Sequence, residues 1–200
     1  MVAASGVLSR EQIVTALNVL HQDSEAYWQS LRTEQFLAAI GSAWSPAENV
    51  RHLTKSVRAV TRGLRLPRWL LALRFGSAKA PSRTFEVLLA AYRERLARGA
   101  SAGRFAPTER LPSPDPDRQR REIMDRHRIA IRALCEAVAR WPEKALDRRV
   151  LPHPALGTLT AREMLYFTIF HNRHHLELVQ RRLGASGDAP GTTERRLVTD

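Results

Sequence analysis

Two histidines near the C-terminal end of the chain have the spacing of neighbours on one face of a helix. His171 and His175 are four residues apart, and residues at this spacing lie one turn apart on the same face. Rotation by about 100° per residue places both among apolar side chains, which predicts that they point into the core. Because an unpaired buried polar group is costly, the pair requires either hydrogen bonds to neighbouring groups or one divalent metal ion that binds both imidazoles.

Two ligands alone make a weak metal site, so a third is expected from another helix. The candidate is His52, which the same rotation places on the inward face of a predicted helix that begins at Pro46. Three neutral nitrogens would leave the ion with open coordination positions, as in catalytic sites. An all-nitrogen ligand set does not choose among zinc, nickel, iron(II) and manganese. The sequence therefore predicts a divalent metal site formed by His52, His171 and His175.

Two further residues are candidates for catalytic roles. Glu48 lies one turn before His52 and is expected to orient that imidazole, to act as a base, or only to cap its helix. His127 shares an apolar helix face with Ile131 and Leu134. It is expected to line the pocket or donate a proton, and a hydrogen-bonded core histidine is the favoured alternative.

Three other residues of reactive type are given structural roles. His174 is rotated to the edge of the inward face of its helix, which predicts a position beside the ligands or at an interface. His153 lies in a predicted turn, where a structural role is expected rather than a catalytic one. Cys135 is most simply a small buried hydrophobic residue.

Four long helices are expected to position these residues, because proline and glycine divide the chain into stretches of helical periodicity without convincing strand alternation. The helices are predicted at about 10–39, 46–62, 115–141 and 161–183. Capping signals mark three of the starts, namely Ser9 with Gln12, Ser45-Pro46-Ala47-Glu48 and Thr160-Ala161-Arg162-Glu163. Gly184 is expected to end the fourth helix as its C′ residue.

The stretch between the second and third helices is the least regular part of the chain. Short helices are expected at about 67–75 and 82–97, followed by a loop rich in proline, and the segment 151–157 before the fourth helix is expected to be a turn. The predicted fold class is an all-α four-helix bundle with a helical insert at about 64–113. The domain is expected to span 9–184, between flexible ends at 1–8 and 185–200.

The composition restricts the class of protein. The 200 residues carry a net charge of +12, with 32 basic and 20 acidic residues, and 44% are hydrophobic, as in a globular domain. The basic residues are scattered and mixed with acidic ones, so nucleic-acid binding is not expected. One cysteine, no apolar stretch long enough for a transmembrane segment and no export signal predict a cytoplasmic protein without an internal disulfide.

Two sequence elements resemble those of the DinB-like superfamily. The segment Trp44-Ser45-Pro46-Ala47-Glu48-Asn49-Val50-Arg51-His52-Leu53 is similar to its tryptophan-serine and histidine-leucine element. The closing segment, from His153-Pro154-Ala155-Leu156-Gly157 to His171-Asn172-Arg173-His174-His175-Leu176, resembles its proline-glycine turn and the helix that carries two metal ligands. The stretch from Arg83 to Pro107 is similar to an insert in some members. The resemblance covers most of residues 9–184.

The resemblance implies a fold, a site and an activity. The fold is an up-down-down-up four-helix bundle, often dimeric, and the metal ligands carried over by position are His52, His171 and His175. Some members use the metal to activate a low-molecular-weight thiol such as bacillithiol or mycothiol. The leading hypothesis is therefore a metal-dependent thiol S-transferase that acts on a small-molecule substrate in detoxification or stress response. The alternatives are a non-catalytic metal-binding bundle and a metal-dependent hydrolase.

Overall fold

The computed structural model describes residues 6–99, 102–108 and 113–185. The predicted flexible ends include residues 1–5 and 186–200, and the predicted proline-rich loop includes 109–112, all of which lie outside the described residues. The helices are α1 (Arg10–Ser30), α2 (Thr33–Leu37), α3 (Pro46–Arg65), α4 (Arg68–Phe75), α5 (Phe85–Ala97), α6 (Pro116–Ala139), α7 (Glu143–Arg148) and α8 (Ala161–Ala185), with a 3-10 turn at Gly103–Phe105. Strands β1 (Val150–His153) and β2 (Gly157–Thr160) form an antiparallel hairpin.

The four long helices α1, α3, α6 and α8 form the bundle. Helix α1 packs against α6 and α8, and α3 packs against the same two helices, so α1 and α3 occupy opposite corners. The all-α four-helix bundle is thus confirmed. None of the described helices combines the length and the hydrophobicity that a membrane span requires.

The predicted capping signals explain where three of these helices begin. Ser45 accepts a hydrogen bond from the Glu48 amide while the Glu48 carboxylate accepts one from the Ser45 amide, and Ser9 with Gln12 does the same for α1. At the start of α8, the Glu163 amide donates to the Thr160 hydroxyl over 3.1 Å. These reciprocal bonds satisfy backbone groups that the first turn of a helix leaves unpaired.

A layer of buried polar side chains crosses the bundle between two apolar clusters. The larger cluster includes Leu20, Val57, Ala130 and Phe170, and the smaller includes Trp28, Val50, Met124 and Leu176. On each long helix, buried polar residues lie between the members of the two clusters. This polar layer comprises Ser24, His52, Thr54, His127, His171, Asn172 and His175. A buried polar group without a hydrogen bond is costly, so each member of the layer needs a partner.

The secondary structure differs most from the sequence prediction at four places, besides shifts of two or three residues at the ends of α3 and α6. The first helix ends at Ser30 rather than near 39, and a separate helix α2 follows it. The segment predicted as a turn before α8 contains the β1–β2 hairpin, with Leu151 paired to Leu159. Helix α7 was not predicted, and α8 continues through Gly184 to Ala185.

The insert between α3 and α6 packs on the bundle rather than projecting from it. Helix α5 contacts α8, and the 3-10 turn contacts α3. The Arg83 side chain pairs with the buried carboxylate of Glu163 over 2.8 Å, which attaches the start of α5 to the start of α8. The insert therefore lies over the part of the bundle where α3 and α8 present their polar residues.

Candidate metal centre

Three imidazoles from α3 and α8 converge in the polar layer. The Nε2 atom of His171 lies 2.9 Å from Nε2 of His52 and 3.2 Å from Nε2 of His175. One ring nitrogen from each residue lies within 4.8 Å of the others, and all three side chains are buried. The structure thus brings together the three residues that the sequence predicted as metal ligands.

The environment of His175 fixes which of its nitrogens carries the proton. Its Nδ1 atom lies 2.7 Å from Oδ1 of Asn49. The amide nitrogen of Asn49 donates to the carbonyl oxygens of Ser45, over 2.8 Å, and Trp44, over 3.3 Å, so its oxygen must face the imidazole. His175 therefore donates from Nδ1, and the lone pair of its Nε2 points to His171.

His52 is held in the same tautomer by a different element. Its Nδ1 atom lies 2.8 Å from the carbonyl oxygen of Phe105, which belongs to the 3-10 turn of the insert. A carbonyl only accepts hydrogen bonds, so His52 also donates from Nδ1 and presents an Nε2 lone pair to His171. His175 and His52 are thus each oriented by a partner outside the cluster, as is usual for metal-binding histidines.

The donor set fits a divalent metal ion. A single proton on Nε2 of His171 can satisfy only one of the two lone pairs that face it. One cation would accept all three lone pairs together. Two nitrogens at the usual Zn–N distance in a tetrahedral site are about 3.3 Å apart, close to the 2.9 and 3.2 Å observed.

Burial keeps the three imidazoles in the neutral form that binds metals. Desolvation is the main cause that lowers the pKa of His52, His171 and His175. The mutual repulsion of their protonated forms lowers the pKa of His171 further. Because metal ligands must be deprotonated, no proton has to be displaced near neutral pH.

The three histidines line one wall of a cavity of about 560 Å³. Its other walls come from the insert, the β1–β2 hairpin and the segment 42–44 before α3, and the lining is mainly apolar. Aromatic side chains next to the histidines are those of Trp44, Tyr92, Phe105 and Phe167. The Trp44 ring lies parallel to that of His175, at an angle of 9°. A small organic molecule therefore has access to the side of the cluster that the protein leaves open.

The two residues predicted as catalytic lie outside the lining of this cavity. The Glu48 carboxylate accepts hydrogen bonds from the amide and hydroxyl of Ser45, which is the capping role considered for it. His127 is buried, with Nδ1 3.1 Å from the Thr54 hydroxyl, in the polar layer beside His21. The structure gives both residues structural partners, and their catalytic roles stay predictions.

Sequence reasoning missed three contributors to the site. Asn49 lies on the inward face of α3, three residues before His52, and this spacing was the available signal. The Phe105 carbonyl is a backbone group, which no residue type reveals. His153 lines the cavity, although it was assigned only a structural role.

Comparison with protein-family models gives a match over most of the chain. The family model described as the DinB superfamily matches residues 16–179, which include α3, the insert, the hairpin and most of α8. Comparison with curated proteins and with solved structures gives no significant match. The family match covers most of the chain and all three clustered histidines. The chain belongs to the DinB superfamily.

Proposed function

We propose that this protein is a metal-dependent thiol S-transferase that joins a low-molecular-weight thiol to a small electrophile in detoxification or stress response. The observation that carries the proposal is the convergence of three Nε2 lone pairs on the wall of a cavity large enough for a small organic molecule. Three nitrogen ligands leave open positions that a substrate atom can occupy. A bundle that held a metal only for stability would need no cavity at that point.

The chain's own residues would prepare this chemistry in two ways. Asn49 and the Phe105 carbonyl hold two of the imidazoles in a fixed orientation, and Tyr92 and Phe167 give the cavity beside them an aromatic lining. A divalent ion bound by the three histidines would favour the thiolate over the thiol, since coordinated thiols are deprotonated. In a typical transfer, the sulfur forms a bond to an electrophilic carbon, a leaving group such as chloride departs, and the thiol proton passes to solvent.

The experiment compares wild type with two histidine variants. Elemental analysis of the purified protein measures bound metal, and a panel of bacillithiol, mycothiol and glutathione is incubated with 1-chloro-2,4-dinitrobenzene. The proposal expects conjugation with at least one thiol that is abolished by chelation and by His171→Ala. The neighbouring variant His174→Ala is the matched control, because His174 lines the cavity but lies outside the ligand set.

The other outcomes identify the alternative functions. Bound metal without conjugation of any thiol would favour a non-catalytic metal-binding bundle. Ester or amide turnover without added thiol would favour a hydrolase that uses a metal-bound water. Absence of bound metal in wild type would overturn all three versions.

Homodimeric assembly and a cytoplasmic location complete the proposal. The apolar side chains of Trp69 and Leu73 on α4 are 67% and 78% exposed, which supports association of two copies through this helix. Sedimentation equilibrium tests the dimer, and Leu73→Glu is expected to shift it to monomer. A monomer at all concentrations of wild type would contradict it.

A further inference from the structure

The imidazole of His153, outside the three-histidine cluster, is held in one tautomer by backbone groups. The Nδ1 atom of His153, at the end of β1, accepts hydrogen bonds from the amides of Ala155 and Leu156 over 3.2 and 3.0 Å. An atom that accepts two N–H groups carries no proton. The neutral ring of His153 therefore has its proton on Nε2, and this N–H is a donor.

The surroundings keep His153 neutral and fixed beside the metal centre. Its ring packs on Phe167 with 4.1 Å between ring centroids, and Phe167 stacks in turn on His171. Burial lowers the pKa of His153 to about 4, so it does not gain a proton near neutral pH. His153 is also a cavity-lining residue, which gives the cavity a fixed neutral donor like those that bind developing or full negative charge in enzymes.

The charges on the cavity wall have one sign. Arg104 and Arg182 line it, and no aspartate or glutamate is found among its described lining residues. The positive charge of Arg182 contributes to lowering the pKa of His175. A bound divalent ion with three neutral ligands would add two further positive charges. A wall of this kind favours anions and disfavours cations.

We propose that the small molecule bound in this cavity is an anionic amphiphile, and that His153 is a binding residue that donates a hydrogen bond from Nε2 to its negatively charged oxygen. The apolar remainder of the molecule packs on side chains such as Leu96, Leu151 and Met164. Arg104, at the edge contributed by the insert, supplies further positive charge. This inference rests on the proposed function, because it names the class of substrate that the same site takes.

Three probes with the same six-carbon body test the charge preference. Hexanoate, 1-hexanol and hexylammonium are titrated into the purified full-length protein by isothermal titration calorimetry, before and after dialysis against EDTA. We expect hexanoate to bind at least about tenfold more tightly than hexanol, as for a hydrogen bond to a charged group, and hexylammonium to bind more weakly than either. Equal affinities for hexanoate and hexanol would overturn the proposal. So would hexanoate binding that disappears entirely when the metal is removed.

Two substitutions test the role of His153 itself. His153→Asn keeps an acceptor where Nδ1 was and removes Nε2–H, so the turn is retained while the hexanoate affinity falls about tenfold and the hexanol affinity does not change. Arg104→Gln should weaken hexanoate alone, whereas Arg173→Gln, on the exposed face of α8, should have no effect. Unchanged hexanoate binding in His153→Asn would overturn the assignment.

One measurement needs no variant. The ¹⁵N chemical shifts of the His153 ring at pH 7 should report a protonated Nε2, and a protonated Nδ1 would overturn the proposal. The result is independent of the thiol chemistry, because hexanoate contains no thiol. If no thiol is conjugated but hexanoate binds preferentially, only the S-transferase is refuted. If a thiol is conjugated but hexanoate does not bind preferentially, only the anion site is refuted.

Discussion

Asn49 and His175 form a hydrogen bond of 2.7 Å that joins α3 to α8 inside the bundle. The amide of Asn49 is itself oriented by two backbone carbonyls at the start of α3. The orientation of a candidate metal ligand on the last helix is thus set by the capped end of another helix.

This bond predicts the effect of removing the Asn49 side chain. Asn49→Ala should lower metal affinity by about 10–100-fold, the usual cost of losing the partner of a metal-binding histidine, because His175 is then free to rotate. Competition with a chromophoric chelator measures the affinity, and circular dichroism checks that the helices persist. Unaltered affinity in a folded variant would contradict the orienting role.

The two neighbouring histidines of α8 should differ sharply in importance. His171→Ala removes the nitrogen that lies within 3.2 Å of both other ligands, so tight metal binding should be lost while the bundle stays folded. His174→Ala should retain the metal. Elemental analysis after dialysis distinguishes them, and a greater loss in His174→Ala would refute the assigned ligand set.

Lys55 is predicted to act on the metal centre from the insert side. Its ammonium group donates to the Ala106 carbonyl over 2.6 Å, and this holds the neighbouring Phe105 carbonyl against His52. Lys55→Met should weaken metal binding by about threefold to tenfold and should speed tryptic cleavage after Arg104. The control is Lys144→Met, at an exposed position of α7. Equal behaviour of the two variants would show that the contact has no such effect.

The buried imidazole of His127 predicts how stability depends on pH. Desolvation and, secondarily, His21 lower the pKa of His127 to about 3, whereas in the unfolded chain it is about 6.5. The unfolded state therefore binds more protons between these values, and the free energy of unfolding falls as the pH falls, by roughly 1.4 kcal/mol per pH unit for one such group. Urea unfolding of the metal-free protein between pH 7 and pH 5 measures this dependence. The free energy of unfolding of His127→Asn should change less with pH than that of wild type, and an equal pH dependence would contradict the assignment.

Arg162 is predicted to be the most sensitive ionic residue of the fold. It is 2% exposed, pairs with both carboxylate oxygens of Asp147 at 2.7 and 2.8 Å, and also donates to the Leu8 carbonyl. Arg162→Met should lower the free energy of unfolding by about 3–5 kcal/mol, because it leaves these acceptors unpaired. Arg173→Met on the exposed face of the same helix should change it by less than about 0.5 kcal/mol. Chemical denaturation measures both.

The sequence predicted the convergence of the three histidines better than it predicted the elements around them. Helical rotation from the cap at Ser45 places His52 inward, and the four-residue spacing of His171 and His175 places both on one face. These local rules were sufficient because the three residues lie in the middle of long helices, where the period accumulates little error.

The wrong predictions concern features that depend on tertiary contacts. The first helix ends before Leu31, without proline or glycine, where the chain becomes extended and buries Leu31 and Phe36. Each hairpin strand has only four residues, and β1 includes Pro152, so alternation is too short to detect. The Phe105 carbonyl reaches His52 only because the insert folds back across α3.

The two sides of the cavity come from different parts of the chain, one from the bundle and the other from the insert. The histidines belong to the bundle, while Phe75, Tyr92 and Leu96 belong to a segment spliced between two of its helices. A longer or different segment would change the shape and lining of the cavity, and thus which molecules fit it. The helices that carry the three histidines would stay unchanged. Any replacement must place an acceptor where the carbonyl of Phe105 lies, since this group orients His52. The part of the selectivity that the insert supplies can therefore change while the three histidines stay in place, provided that His52 keeps this contact.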